Sequence, residues 1–310
     1  MVRILPWFSR GIAAVALAVV AWAALSSWGA VSHGHPAYAI WLAVTAAAAI
    51  ASIIGSFVRA PRGGWRAVLR VIGMFGAVVW VAGTAWLRPA TAIEPALAAM
   101  ESDEAVTVTE TATSITLAPA GERAPTAVVF EPGALVEARS YAAVLRPLAE
   151  AGHLVVITKP ALGIAFLDTG ALDSARGAHP EVDGWVVGGH SLGGVVAAVL
   201  ADRDDSLSTA PAVGLLLFAS YPASDISGSL TAAVESISGS EDGLSTPEAI
   251  EQSRSMLPAG SSFTVIEGAV HAQFGDYGPQ AGDGTATLSD DEAREQISAA
   301  ALAFVDSLGG

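Results

Sequence analysis

The chain has 310 residues, 52% of them hydrophobic, with 15 basic against 30 acidic side chains and no cysteine. A mean hydropathy of +0.52 is too apolar for one soluble domain, so a membrane part is expected. The acidic balance argues against a nucleic-acid partner and against docking on anionic lipid, and a chain without cysteine has no disulfide framework.

The charge is divided along the chain. Residues 1–93 carry seven arginines and no Asp or Glu, so residues 94–310 hold all 30 acids with eight bases, a formal net of −22. Seven of the eight tryptophans lie at or before Trp86. Three uncharged stretches, 11–31, 38–58 and 71–87, approach the roughly 20 apolar residues needed to cross the hydrocarbon core and read as transmembrane helices. Trp7, Trp28, Trp41, Trp65 and Trp86 sit near their ends, where aromatic belts form. Arg3 and Arg10 precede the first stretch, and Arg59, Arg62, Arg66 and Arg70 separate the second from the third. The loop 32–36 has no arginine. The positive-inside rule therefore predicts a multi-pass protein of the cell membrane, with everything after about residue 88 outside the cytoplasm. A cleaved signal peptide ending at Ala37-Tyr38-Ala39 is the rival reading; its apolar core is long for that role, and it would still leave two spans.

The expected organisation is a membrane region over 1–88, a linker over 89–104 and a second domain over 105–310. Residues 106–117 are rich in β-branched residues and roughly alternating, which predicts one or two antiparallel strands at a sheet edge. After Pro125 strands are expected at 126–130, 154–158, 184–187, 213–219, 231–238 and 263–267. Helices are expected at 138–151, 164–175, 192–203, 247–256 and 289–308. Such alternation makes a mostly parallel sheet covered by helices.

Gly188-Gly189-His190-Ser191-Leu192-Gly193-Gly194 contains G-x-S-x-G between a strand-type run and a helix start. Strand, tight turn and helix is the context in which a serine hydroxyl is lifted out at the end of a sheet as a nucleophile. Gly189 and Gly193 are read as positions where a Cβ would collide with neighbouring backbone. Chemistry in such a sheet gathers at the carboxyl ends of the strands, with the acid and then the histidine following the serine in chain order. Of six histidines, His33 and His35 lie in the membrane loop, and His153 and His179 precede strands at the wrong end. His190 is in the turn itself and is expected to point away from Ser191. His271 alone follows the last strand by a short loop, and becomes the candidate general base. Asp242, followed by Gly243, is the candidate acid; Glu241 and Asp225 compete. Two backbone N–H groups should form an oxyanion hole, one from Leu192 and one from the 131–135 loop, with Ala134 the first candidate.

Residues 125–310 resemble the α/β-hydrolase superfamily, in particular a bacterial group of small, capless, dienelactone-hydrolase-like members. The matching stretches are Phe130-Glu131-Pro132-Gly133, the seven residues around Ser191, Ala219-Ser220-Tyr221-Pro222, Gly239-Ser240-Glu241-Asp242-Gly243 and His271 to Gly278. Ala134 departs from the group, which often has a second glycine there. The resemblance implies an α/β-hydrolase fold over residues 125–310, preceded here by the three transmembrane helices read from hydropathy, and a Ser-Asp-His triad on Ser191, Asp242 and His271. The function so implied is a membrane-anchored serine hydrolase that cleaves a carboxylic ester through an acyl-enzyme, without metal or cofactor. Its partners would be a small or envelope-linked acyl ester and the lipid bilayer, with no nucleic acid. An acyltransferase or peptidase on the same triad, or a hydrolase-like domain that binds without turnover, are the alternatives.

Overall fold

A computed structural model describes residues 5–57 and 64–309. The chain divides into two compact units, 1–89 and 90–310. Arg3, Arg59 and Arg62, which contribute to the arginine bias, lie outside the described residues.

The first unit is helical: α1 (Leu5–Ser26), α2 (Trp28–His33), α3 (Pro36–Gly55) and α4 (Gly64–Trp86). Among the described residues three helices are long and apolar enough to cross a membrane, over Trp7–Ser26, Pro36–Gly55 and Val68–Trp86. The expected first stretch, 11–31, breaks at Ser27, whose hydroxyl donates to the Pro89 carbonyl at 2.8 Å and accepts from Arg88 at 3.3 Å. The third helix begins at Gly64 rather than 71, because arginine does not break a helix even where it ends an apolar run. Helix α1 packs against α3 and α4 through small residues, Ala13, Ala16 and Ala49. Helices α3 and α4 are joined by a reciprocal ladder. Trp41 Nε1 donates to Thr84 Oγ1 at 3.0 Å and Trp80 Nε1 to Thr45 Oγ1 at 2.8 Å, with the two indoles stacked 3.9 Å apart. Two indole N–H groups that would otherwise be unsatisfied in an apolar medium are thereby paired.

The second unit is built on eight strands: β1 (Val106–Glu110), β2 (Ser114–Pro119), β3 (Thr126–Glu131), β4 (Val155–Thr158), β5 (Gly184–His190), β6 (Ala212–Phe218), β7 (Ala233–Gly239) and β8 (Ser262–Ile266). Their order in the sheet is β1-β2-β4-β3-β5-β6-β7-β8. The β1/β2 hairpin is antiparallel and lies on the edge, as expected, and β3 to β8 run parallel. Successive residues of the central strands face opposite helical layers. Val128, Phe130, Val186, Leu216 and Phe218 pack under α5 (Ala142–Glu150) and α9 (Asp290–Ser307). Ala127, Val129, Trp185, Val187, Leu215 and Leu217 pack under α6 (Ala171–Ala178) and α7 (Leu192–Asp204). Burial on both faces explains why these strands read as apolar runs rather than as alternating ones.

Several elements differ from expectation. The helix expected at 164–175 is replaced by two 3₁₀ turns, Ala161–Gly163 and Ala165–Leu167, and α6 starts only at Ala171. Positive φ angles at Leu162 (56°) and Gly163 (68°) stop an α-helix from running through this segment. The helix expected at 138–151 opens with a 3₁₀ turn, Ala138–Tyr141, before α5. Helix α8 (Pro247–Ser253) starts on a Thr246 cap with proline at its first position, and α9 starts on a Ser289–Glu292 capping box. Residues 90–104, expected as a linker, pack within the second unit. Ala90 pairs with Val136, the Ala92 N–H donates to Glu137 Oε2 at 3.1 Å, and the Ile93 N–H donates to the Asp276 carbonyl at 2.9 Å.

Candidate active site

Ser191 stands between β5 and α7 with φ 52° and ψ −122°, a conformation that costs a non-glycine residue about 1–3 kcal/mol and persists only when its surroundings enforce it. The enforcement is visible. The Ser191 N–H donates to the Phe218 carbonyl at 3.0 Å, and the Ser191 carbonyl accepts from Ser220 Oγ at 2.6 Å. A Cβ at Gly193 would overlap the Glu131 carbonyl oxygen, so only glycine lets α7 start this close to the β3 loop. Ser220 is a brace that sequence reasoning misses, although it lies just after β6 in one of the stretches that carry the resemblance.

His271 follows β8, and its Nδ1 lies 2.8 Å from Asp242 Oδ2 in the loop after β7. Both side chains are essentially inaccessible to solvent. The second carboxylate oxygen of Asp242 accepts the N–H groups of Leu244 at 2.8 Å and Ser245 at 2.7 Å, so only Oδ2 is left for the imidazole. His271 Nε2 is buried and makes no protein hydrogen bond. Glu241, the neighbouring competitor, is exposed, and Asp225 is turned to Ser227 at 2.6 Å. His153 is occupied elsewhere, by the Thr126 carbonyl and Asp306, both at 2.9 Å.

His190 has a more central place than its neighbourhood in sequence suggests. Its ring lies 4.5 Å from that of His271, centroid to centroid, and stacks against Phe274. Its Nδ1 is 2.9 Å from Tyr141 Oη, which accepts the Gly133 N–H at 2.9 Å. Burial, and then repulsion from His271, hold the His190 pKa well below its ordinary value, so the ring is neutral. Burial likewise raises the pKa of Tyr141, which stays a phenol.

The loop after β3 carries the candidate oxyanion donor. The Gly133 N–H is taken by Tyr141, and Leu135 (φ 57°) donates to the Gly163 carbonyl at 2.8 Å. These bonds fix the residues on either side of Ala134. At the start of the loop Glu131 is fully buried. Its Oε2 accepts from Thr158 Oγ1 at 2.7 Å and its Oε1 has no protein partner. Burial pushes its pKa up to about 8, with the Thr158 hydrogen bond opposing and Asp168 adding to the rise. Among the described residues no group of three or more His, Asp or Glu side chains is arranged to hold a metal ion. The β6–β7 connection, between Phe218 and Ala233, contains no helix.

A mixed eight-stranded sheet, helices on both faces and a serine on a strained strand-turn-helix elbow define an α/β-hydrolase fold. Residues 127–295, more than half of the chain, match the family model described as the alpha/beta hydrolase family. The chain belongs to that family. No curated protein sequence matches it. Among solved structures it is similar to carboxyl esterase 2 from the mycorrhizal fungus Tuber melanosporum, at 12% identity over 71% of this chain and 91% of that one, with a TM-score of 0.49. It is similar also to the esterase domain of a Rhodothermus marinus protein, at 13% identity over 66% and 99%, TM-score 0.48. A putative dienelactone hydrolase from Klebsiella pneumoniae is 17% identical over 65% and 98%, TM-score 0.46.

Proposed function

We propose that the protein is a membrane-anchored serine hydrolase that cleaves carboxylic esters through an acyl-enzyme on Ser191, Asp242 and His271. The observation that carries this reading is the 2.8 Å Asp242–His271 hydrogen bond, which orients a buried imidazole whose Nε2 makes no protein hydrogen bond, beside the residue preceding a strained elbow serine. Asp242 holds the His271 proton on Nδ1, so that Nε2 can take the Ser191 hydroxyl proton as the oxygen attacks the ester carbonyl. The N–H groups of Leu192 and Ala134 receive the developing oxyanion. His271 then returns the proton to the departing alcohol. Water, deprotonated by the same imidazole, releases the acyl group and restores the serine. The substrate is a small or envelope-linked acyl ester. The helices α1, α3 and α4 seat the protein in the cell membrane, and the arginine bias places the hydrolase domain outside the cytoplasm.

The test is active-site labelling with a fluorophosphonate. The wild-type chain should label at Ser191. Ser191→Ala should abolish labelling and lower ester turnover by roughly 10⁶-fold, the loss seen when members of such a unit are removed. Labelling that persists in Ser191→Ala, or moves to Ser220 or Ser240, rejects the assignment.

A further inference from the structure

We infer that Asp283 is a positioning residue that holds the acid loop and the histidine loop together; the inference rests on the serine-hydrolase reading above. One carboxylate gathers four backbone N–H groups. Asp283 Oδ1 accepts from Gly243 at 3.1 Å, from His271 at 3.1 Å and from its own neighbour Gly284 at 2.7 Å, and Oδ2 accepts from Ala272 at 2.8 Å. Gly243 directly follows Asp242, and His271 is the candidate base itself. The two loops that meet in the Asp242–His271 bond are therefore joined a second time, through Asp283.

The backbone is shaped for this contact. A Cβ at Gly284 would overlap the Glu241 carbonyl oxygen, and a Cβ at Gly243 would come within 2.7 Å of the Gly284 nitrogen. Both positions must be glycine for the 282–284 turn to reach the acid loop. Four converging donors call for a group that only accepts and has several lone pairs, which among side chains is an ionised carboxylate. Without it the N–H groups beside both residues lose their partner and the loops can separate. A displacement of about 1 Å in the triad costs on the order of 100-fold in rate. Asp283 touches no reacting atom, so the loss should fall on kcat and leave KM unchanged.

The experiment compares Asp283→Ala and Asp283→Asn with wild type in the full-length, detergent-solubilised chain. Asparagine keeps one carbonyl oxygen, whose two lone pairs can hold part of the contacts now on Oδ1, while its NH₂ opposes the Ala272 N–H. We expect Asp283→Ala to lower kcat per fluorophosphonate-titrated site on the order of 100-fold at unchanged KM, and Asp283→Asn to recover part of it. Titrating the sites removes unfolded protein from the comparison. A normal kcat per site in Asp283→Ala, or equal losses in Ala and Asn, overturns the inference while labelling of wild-type Ser191 leaves the hydrolase reading standing. If wild type does not label at Ser191, that reading fails, and the low-field proton resonance of His271 Nδ1–H still decides Asp283. Its loss in Asp283→Ala and return in Asp283→Asn supports the bracing; its persistence in Asp283→Ala overturns it.

Discussion

His190 and His271 lie ring against ring, with centroids 4.5 Å apart, and only His271 has a carboxylate to stabilise a proton on it. His190 is held neutral by burial and by the field of His271, and is locked by Tyr141, which in turn holds the Gly133 N–H. One tyrosine hydroxyl therefore links the ring beside the candidate base to the loop that carries the candidate oxyanion donor. Tyr141→Phe should leave the Gly133 N–H buried without an acceptor. We expect a stability loss of about 1–3 kcal/mol in denaturant unfolding. We expect kcat to fall about 10-fold, short of the 10²–10³ for deleting an oxyanion donor outright. A variant equally destabilised but with unchanged kcat would show that Tyr141 only packs.

Legibility in the sequence follows locality. The elbow at Ser191 is local, since its glycines, preceding strand and following helix are contiguous, and it can be read directly. Asp242 and His271 are reached by chain order, because parallel strands deliver their ends to one edge in a fixed sequence. Tyr141, Asp283 and Ser220 cannot be reached in this way. Their roles depend on which loops touch: Asp283 becomes a brace only when the 282–284 turn meets Gly243 and His271 in space. The missing helix at 164–167 has a different cause. Leu162 and Gly163 adopt positive φ beside Leu135, a tertiary contact that overrides the local preference of an apolar run.

Asp242→Asn tests the tautomer argument. The Leu244 and Ser245 N–H groups demand an acceptor at the Oδ1 position, so the asparagine amide must present its NH₂ to His271 Nδ1. Nδ1 then accepts, the ring proton moves to Nε2, and the base is lost. Turnover should fall by roughly 10⁴-fold with the fold intact. A loss of less than about 10-fold would indicate that another carboxylate, Glu241 or Asp225, orients the ring.

Glu131 gives a prediction in pH. Its pKa in the folded protein is pushed up to about 8 by burial, against about 4.3 in an unfolded chain. Between these values the unfolded state releases a proton that the folded state keeps, so stability is full at low pH and declines as pH rises towards 8. Glu131→Gln imitates the protonated form and does not ionise. Its stability relative to wild type should therefore increase between pH 5 and pH 8, by at most about 1.4 kcal/mol for each pH unit crossed. Denaturant unfolding at the two pH values measures it, and a constant difference would mean that the carboxyl is already ionised at pH 5.

Sidedness can be read with fusions. An alkaline-phosphatase reporter after Gly310 should be active and one at Gly64 inactive, because four arginines flank the α3–α4 connection and none lies in the 32–36 loop. The reverse pattern would put the hydrolase domain in the cytoplasm.

The last prediction concerns the acyl group. Strand β6 ends at Phe218 and β7 begins at Ala233, and no helix forms between them, where a lid domain would be inserted. A cover needs helices of roughly ten residues each, packed against one another, and this connection is too short to hold several. A serine without such a lid would have little apolar wall to enclose a long chain. Each methylene is worth about 0.8 kcal/mol only where it is buried, so lengthening the acyl group beyond the wall brings no further gain in kcat/KM. Short acyl esters, or acyl groups presented on a larger envelope molecule, should be preferred over long-chain lipids, without a rate jump at the micelle threshold. The measurement is kcat/KM across a series of acyl chain lengths, with and without detergent micelles, in the full-length protein. A maximum at long chains would require a cover from elsewhere. Residues 90–104 and 275–290 are the segments to examine first, since the Ile93 N–H already donates to the Asp276 carbonyl close to the His271 loop.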